Sequence, residues 1–202
     1  MTIAKGQAWG VVSPLPDGAP VVQADSALAR LLGAGVECGV PAIVGLEGGA
    51  IWELLGGPTL HDRLRSGGAF TFPIDLAVVS TSEHGDVYFV NHVIAHTRCW
   101  TRGVAVLNGQ RVGGLRLGHR SHVNDGALDL TTWDLGWGEL WSVRRRALAG
   151  AHTPHPRIQE RRVRHYDVVL DRVTPTWADG VALGSASGFS VRVIPDAGFV
   201  VA

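Results

Sequence analysis

The fold of this chain is decided by residues 106–130, which read VLNGQRVGGLRLGHRSHVNDGALDL. The end of this stretch places three oxygen-bearing side chains, Asn124, Asp125 and Asp129, on one tight turn. Gly126 supplies the positive φ that such a turn often requires. Because Mg²⁺ and Ca²⁺ prefer oxygen ligands, the turn could hold a cation. It could equally be an Asx turn that closes a connection between strands, with Asp129 in solvent.

Length and composition limit the class of protein. The chain has 202 residues, of which 46% are hydrophobic and 18% charged, and this indicates one globular domain, or one domain with a small appendage. The formal net charge is zero, so nothing global indicates a nucleic-acid partner. Lys5 is the only lysine, which argues against a P-loop or a Schiff-base site.

Cysteine content and targeting signals indicate a reduced compartment. Cys38 and Cys99 are too few for a disulfide framework or a zinc site. No apolar run reaches the length of about 18 residues that a transmembrane segment needs, and the N-terminus lacks a signal-peptide pattern. We therefore expect a cytoplasmic protein, with peripheral membrane contact as a compatible location.

The chain divides near Gly68 into two segments with different patterns. Residues 1–68 mix helical and strand patterns, whereas residues 69–202 are dominated by strand patterns between turn residues. Helices are predicted at 26–32 (capped by Asp25 and ended by Gly33), 50–55 and 59–64, with a buried strand at 41–46. Further strands are predicted at 73–80, 86–95, 101–108, 111–117, 127–134, 160–171, 174–178, 188–194 and 197–201. The predicted fold class is mostly β (α+β), an antiparallel β-sandwich with a small truncated α/β N-terminal part.

One further helix, predicted at 138–149, joins an apolar face to a basic end. Its shared face consists of Trp137, Leu140, Trp141, Arg144 and Leu148. The only concentration of basic residues in the chain comprises Arg144, Arg145, Arg146, Arg157, Arg161, Arg162 and Arg164. These arginines could bind an anionic lipid headgroup or phosphate, or they could form a solvated face beside Glu160 and Asp167.

From about Phe72 onward the chain resembles the C-terminal domain of bacterial diacylglycerol/lipid kinases of the YegS and DgkB type. The segments that carry the resemblance, in the family's order and spacing, are Phe72-Pro73-Ile74-Asp75-Leu76, Tyr88-Phe89-Val90-Asn91, Val106-Leu107-Asn108-Gly109, Gly113-Gly114, Asn124-Asp125-Gly126-Ala127-Leu128-Asp129, Leu148-Ala149-Gly150-Ala151-His152, Trp177-Ala178-Asp179-Gly180 and Val191-Arg192-Val193-Ile194-Pro195. The resemblance implies a β-sandwich. It also implies that Asn124, Asp129 and the carbonyl of Ala127 hold a structural Mg²⁺ (or Ca²⁺), although asparagine replaces the usual first aspartate and should weaken binding.

The nucleotide motifs of the family are eroded in this chain. Asp25 alone remains where these kinases carry Gly-Gly-Asp-Gly-Thr, and Gly48 and Gly49 remain of the Gly-Thr-Gly-Asn-Asp phosphate loop. Asp179 matches the general base, but its glutamate companion is Val181. The lost glycines would have let backbone N–H groups approach phosphate closely, so ATP binding is not expected.

Three functional hypotheses follow. The first is a catalytically inactive lipid-kinase-like protein, a pseudoenzyme, that acts as a lipid- or ligand-binding or protein-interaction module. The second is an active ATP-dependent lipid kinase that uses Asp179 as base and Asp25 near the metal–nucleotide, with its cleft completed by a homodimer. The third is a structural or oligomer-forming sandwich, for which Trp137 and Trp141 would have to be exposed.

Overall fold

In a computed structural model, which describes residues 9–57, 64–118 and 120–202, strands dominate the protein. The strands are β1 (Val11–Val12), β2 (Val21–Val22), β3 (Ala42–Leu46), β4 (Phe70–Thr81), β5 (Gly85–Phe89), β6 (His92–His96), β7 (Arg102–Leu107), β8 (Arg111–Val112), β9 (Leu115–Arg116), β10 (Leu128–Asp134), β11 (Ile158–Val163), β12 (His165–Ala178) and β13 (Val181–Val201). The helices are α1 (Asp25–Cys38), α2 (Gly49–Leu54) and α3 (Trp137–Ala147). The predicted mostly β, α+β class is confirmed.

One sheet connects both segments of the chain. Its strand order is β1-β4-β13-β12-β6-β7-β10-β11, and most neighbouring strands are antiparallel. The C-terminal end of β13 pairs in parallel with β3, and β3 pairs in turn with β2. The strands of the first segment therefore extend the sheet of the second. The division into residues 1–68 and 69–202 as separate folding units stays a prediction.

The sheet folds over itself around an apolar core. Register shifts in the β12–β13 pairing, between Val169 and Thr174, interrupt the ladder and allow these long strands to bend. Val104 and Leu130 from β7 and β10 consequently share one buried cluster with Phe189 from β13. The two halves of the sheet face each other across this cluster, as the predicted sandwich requires.

Helix α1 packs against the sheet and extends past its predicted end. Leu28 and Leu32 are buried against Ile74 of β4 and Val200 of β13. Gly33 lies inside the helix rather than after it, and a side chain at that position would overlap the ring of Tyr88, which accounts for the glycine. The helix ends instead at Gly39, which has a φ of 70°. Most of the helix predicted at 59–64 lies outside the described residues.

Candidate functional site

Two residues predicted as catalytic, Asp25 and Asp179, lie on either side of Asn91. The side-chain Nδ2 of Asn91 donates a hydrogen bond to Asp25 Oδ2 at 3.1 Å. The backbone N–H of Asn91 donates to Asp179 Oδ1 at 3.0 Å. Asn91 occupies the break between β5 and β6, where one continuous strand was predicted over 86–95. Both carboxylates accept hydrogen bonds from the residue at this break, so the interruption of the strand forms the site.

Asp179 follows the last residue of β12 in a tight turn, and backbone N–H groups hold its carboxylate. Its φ is 47°, and its own N–H donates to the carbonyl of His92 at 2.9 Å. Its carboxylate accepts hydrogen bonds from the N–H groups of Val90, Asn91 and His92 at 2.8, 3.0 and 2.8 Å. Burial raises the pKa of Asp179 to about 7, against the effect of these hydrogen bonds, and nearby Asp25 adds to the rise. A pKa near neutrality suits a general base.

Asp25 caps α2 rather than its own helix. The N-cap of α1 is Ala24, without a side-chain hydrogen bond, so the predicted capping of the first helix by Asp25 is wrong. The carboxylate instead accepts hydrogen bonds from the N–H groups of Ala50 at 3.0 Å and Ile51 at 3.2 Å. The first N–H groups of a helix have no intrahelical partner and attract anions, which explains the preference. Burial raises the pKa of Asp25, and the three hydrogen bonds to its carboxylate oppose that rise.

Gly48 and Gly49 permit the close approach between these two segments. A Cβ on Gly48 would lie 2.5 Å from the carbonyl oxygen of Gln23. Gly49 has a φ of 89°, and a Cβ there would overlap the carboxylate of Asp25. Gly49 of the second eroded motif therefore contacts the aspartate of the first, and Gly48 contacts the backbone of Gln23. The backbone of Gln23 and the carboxylate of Asp25 fill the space that a side chain at position 48 or 49 would need.

The turn at 124–126 has the predicted local conformation and an unpredicted partner. Gly126 has a φ of 67°, and Asp125 Oδ1 accepts a hydrogen bond from Ala127 N at 3.1 Å, which makes an Asx turn. Asn124 is buried, and its Nδ2 donates to Asp75 Oδ1 at 3.3 Å and to Asp196 Oδ1 at 3.0 Å. An aspartate at position 124 would have no proton for these two carboxylates, which is a physical reason for asparagine there.

Asp75 is the residue of this region that sequence reasoning missed as a centre of contacts. Its buried carboxylate accepts hydrogen bonds from Gly126 N at 2.7 Å and from Asp196 N at 2.9 Å. These contacts join β4 to the 124–126 turn and to the register shift in β13 between Ile194 and Gly198. Burial raises the pKa of Asp75 to about 6. The available signal was a carboxylate inside an apolar strand, which must find partners when it is buried.

The seven arginines predicted to bind an anionic lipid headgroup or phosphate do not form one surface. Arg162 pairs with Asp125 at 2.6 Å, and Arg157 pairs with Glu139 at 3.5 Å. Arg161 alternates with Arg162 along β11 and therefore points to the opposite face of the sheet. The members that are exposed and have no ion pair within the described ranges are Arg144, Arg145, Arg146, Arg161 and Arg164. Only the three on α3 are contiguous.

A groove of about 570 Å³ opens between β12 and the β7–β10 face at the end of the sandwich. Its lining combines an apolar patch that includes Val104, Leu130, Val168 and Leu170 with a larger number of polar and charged side chains. Arg102 bridges its two walls, with one guanidinium nitrogen 2.8 Å from Asp171 and another 2.7 Å from Asp134. Asp134 and Asp171 are largely exposed and Arg102 is partly exposed, so this bridge contributes little to stability and can open. No motif in the sequence indicated this groove.

Among the described residues, no helix has both the length and the apolar character needed to cross a bilayer. The chain matches no protein-family model and no curated protein sequence.

The fold is similar to solved structures from Bacillus anthracis str. Sterne. A candidate diacylglycerol kinase matches with a TM-score of 0.68 and 11% identity, over 89% of this chain and 76% of that chain. A second structure of the same description gives a TM-score of 0.64 and 11% identity, over 90% and 76%. A third, a diacylglycerol kinase, gives 0.56 and 12%, over 80% and 67%. Identity at this level shows a shared fold, so the chain has the fold of these proteins, and the structural part of the resemblance is confirmed.

We predict that Asp75 and Asp179 each lower the stability of the protein as pH rises from about 4 to about 7. Burial raises the pKa of Asp75 to about 6 and that of Asp179 to about 7, from an ordinary value of 3.8. A carboxyl group with a raised pKa binds its proton more tightly in the folded state. Its stabilising effect is complete below the unfolded pKa and is lost as pH rises through the folded pKa. These two groups should raise the free energy of unfolding in urea at pH 5 relative to pH 7.5 by on the order of a few kcal/mol. Burial lowers the pKa of His92 and His96, which act in the opposite direction, so the contribution is measured by comparing variants.

Asparagine substitutions identify the groups responsible for this pH dependence. Asp75→Asn and Asp179→Asn should each flatten the dependence of the free energy of unfolding on pH. Asp17→Asn, at an exposed position, is the matched control and should leave the slope unchanged. A slope in Asp75→Asn and in Asp179→Asn that equals the wild-type slope would contradict the prediction.

Proposed function

We propose that this protein keeps the diacylglycerol-kinase fold without transferring phosphate from ATP, and that it acts as a lipid- or ligand-binding module. The observation that carries the first part is the hydrogen bonding of the Asp25 carboxylate to Ala50 N and Ile51 N. Phosphoryl transfer depends on groups that hold and neutralise the phosphates. Here an internal carboxylate occupies N–H groups at a helix start, the kind of group that binds phosphate in nucleotide sites.

The charge around this contact also disfavours a nucleotide. Asp25 and Asp179 lie close enough that each raises the cost of a further negative charge nearby. Arg111, whose carbonyl oxygen accepts a hydrogen bond from Asn91 Nδ2, directs its guanidinium to Glu53 at 3.7 Å. A phosphate would have to displace a carboxylate from the α2 N–H groups and an arginine from its partner. These two displacements support the loss of kinase activity.

The alternative is an active ATP-dependent lipid kinase with a cleft completed by a second copy. One observation favours it: burial raises the pKa of Asp179 to about 7, which would let this carboxylate accept a proton from a substrate hydroxyl near neutral pH. Both oxygens of Asp179 already accept backbone hydrogen bonds, however, and Val181 stands where the companion glutamate would be. We therefore place this function second.

A direct assay separates the two functions. With ATP·Mg²⁺ and diacylglycerol in mixed micelles, we expect no phosphatidic acid above a blank without protein. Millimolar ATP should also leave the thermal midpoint unchanged, because a ligand that binds only the folded state must raise it. Asp179→Asn, checked by circular dichroism, is the control for a contaminating kinase. Phosphatidic acid production that Asp179→Asn abolishes would establish the active kinase instead.

The binding role is assigned to the groove at the open end of the sandwich. Its volume of about 570 Å³ is in the range of small-molecule sites, and apolar side chains from both halves of the sheet line it. The Arg102 bridge to Asp134 and Asp171 places polar groups at the mouth. A groove that combines an apolar patch with polar and charged side chains suits an acyl chain with a polar head.

Filling the groove should weaken acyl-chain binding. Leu170 lines the groove, so Leu170→Trp should lower the affinity for a fluorescent fatty acid at least about tenfold. Val181→Trp introduces the same side chain at an exposed site on β13 and should leave the affinity unchanged. Fluorescence titration measures both variants against wild type. Equal affinity in both variants, or no saturable binding by wild type, would remove the groove as a lipid site.

We also propose that the 124–129 turn holds a structural Mg²⁺ or Ca²⁺ through Asn124, the carbonyl of Ala127 and Asp129. Support comes from the buried Oδ1 of Asn124, which accepts no hydrogen bond from the described residues and therefore needs a partner. Asp129 uses Oδ2 to accept a hydrogen bond from Ser121 Oγ at 2.8 Å. Within the described ranges no group of three or more His, Cys, Asp or Glu side chains could hold a metal. The proposed set has one carboxylate and is outside that class of site.

Asn124→Asp separates the two roles of this side chain. Without metal, the variant replaces the donor between Asp75 and Asp196 with a third carboxylate, so the free energy of unfolding should fall by roughly 2–4 kcal/mol. With Mg²⁺, the added charge should strengthen binding, so Mg²⁺ should raise the thermal midpoint more than in wild type. Calorimetry in EDTA and in millimolar Mg²⁺ measures both effects. A response to Mg²⁺ that survives in Asp129→Asn would exclude the site.

A further inference from the structure

Helix α3 presents two large apolar side chains to solvent. Trp137 is 67% exposed, Trp141 74% and Leu148, which follows the helix, 57%. Spacings of four and seven residues place these three side chains along one line, here called the tryptophan ridge. Val143 and Ala147 are buried against the sheet instead. The exposure that the oligomer-forming hypothesis required is therefore present, and the ridge needs an explanation in its own right.

The packing of α3 leaves the ridge uncovered. The helix contacts the outer face of the sheet through Leu140, Val143 and Ala147, which pack with Trp133 and Ile158. The predicted shared face of the helix included Leu140 together with both tryptophans. In the structure Leu140 turns toward the sheet while Trp137 and Trp141 lie on the exposed flank. The core of the protein therefore does not use the tryptophans.

A block of positive charge, Arg144–Arg146, lies at the C-terminal end of α3: Arg144 shares the line of the ridge, Arg145 lies beside it and Arg146 turns to the opposite flank. Arg144, Arg145 and Arg146 are exposed and have no ion pair within the described parts of the chain. Glu139, the acidic residue in the first turn of α3, is held by Arg157 at 3.5 Å and by the N–H of Gly136 at 2.8 Å. The charge of the arginines is therefore not neutralised by their own helix.

We propose that the tryptophan ridge and Arg144–Arg146 dock the protein onto the surface of an anionic phospholipid bilayer. This inference rests on the proposed lipid-binding function. Tryptophan side chains are suited to the membrane–water interface, because the ring is apolar and its N–H can hydrogen-bond. Arginines beside a buried apolar face add attraction to anionic headgroups. The ridge supplies the first component and the arginine block supplies the second.

A bilayer fits this surface better than a second copy of the chain. In a two-fold dimer the same patch meets itself, so the arginine block of one copy would lie near that of the other. Like charges at such a contact oppose association. An anionic membrane has the complementary charge and removes this conflict.

The ridge lies close to the mouth of the groove, so docking of the ridge on a membrane would affect access to the groove. Arg102 and Asp134 line the mouth of the groove, and they also line a surface depression that includes Trp137. A membrane against Trp137 therefore lies beside the Arg102 bridge. Headgroup phosphates there compete with Asp134 and Asp171 for Arg102, which opens the mouth toward the lipid.

Vesicle co-sedimentation tests the docking surface. Full-length protein should bind vesicles of phosphatidylcholine with about 30 mol% phosphatidylglycerol and not vesicles of phosphatidylcholine alone, and added salt should weaken binding. The change Arg144→Gln/Arg145→Gln/Arg146→Gln should weaken binding about a hundredfold, at about a factor of five per arginine. Trp137→Ser/Trp141→Ser should weaken it at least about tenfold.

Matched variants at other exposed positions control for bulk charge and hydrophobicity. Arg30→Gln/Arg65→Gln/Arg120→Gln removes the same charge, and Val11→Ser/Val40→Ser removes exposed apolar groups that lie outside both the groove and α3. Both sets should leave vesicle binding unchanged. Equal loss in these controls, or no binding to the anionic vesicles at low salt, would overturn the proposal.

Sedimentation equilibrium tests whether a second copy of the chain, rather than a membrane, binds the ridge. A dimer that Trp137→Ser/Trp141→Ser dissociates, together with absent vesicle binding, would assign the ridge to a second copy of the chain. None of these results depends on ATP. Failure of membrane docking is therefore distinguishable from failure of the proposed loss of kinase activity.

Discussion

The hydrogen bonds from α2 to the Asp25 carboxylate are the contact on which the rest of the candidate site depends. They join the start of α1 to the start of α2, and Asn91 extends the connection to Asp179 at the end of β12. Because the carboxylate satisfies N–H groups that the helix itself leaves unpaired, the arrangement is stable without a ligand. A phosphate would have to compete with this carboxylate for the same N–H groups.

The contact at Asp25 also bears on the proposed role of the protein. In the resemblance, Asp25 and Gly49 come from motifs that hold nucleotide, and in this structure they contact each other. The sandwich beyond them is intact, with a groove at its open end and an exposed tryptophan ridge beside the mouth. The proposed lipid binding does not require phosphoryl transfer, because the two functions would use different parts of the fold.

The sequence predicts the fold class and most strands, because alternating apolar residues and turn residues are local signals. It also brings Asp25 and Asp179 into one candidate site through the resemblance. It misses the strand break at Asn91, the hub at Asp75 and the true cap of α2, because these depend on hydrogen bonds between residues far apart in the chain. For the same reason Gly33 suggested a helix end, whereas its actual role is contact with a distant ring.

The most direct measurement follows the amide signals of Ala50 and Ile51 by nitrogen–proton correlation NMR during titration with ATP·Mg²⁺. These two N–H groups donate to Asp25 in the structure, so they report displacement of the carboxylate without any assumption about turnover. We predict that both signals stay in place to millimolar nucleotide. A saturable shift of both signals, accompanied by a rise in thermal midpoint, would show that phosphate takes the place of Asp25 and would contradict the loss of nucleotide binding.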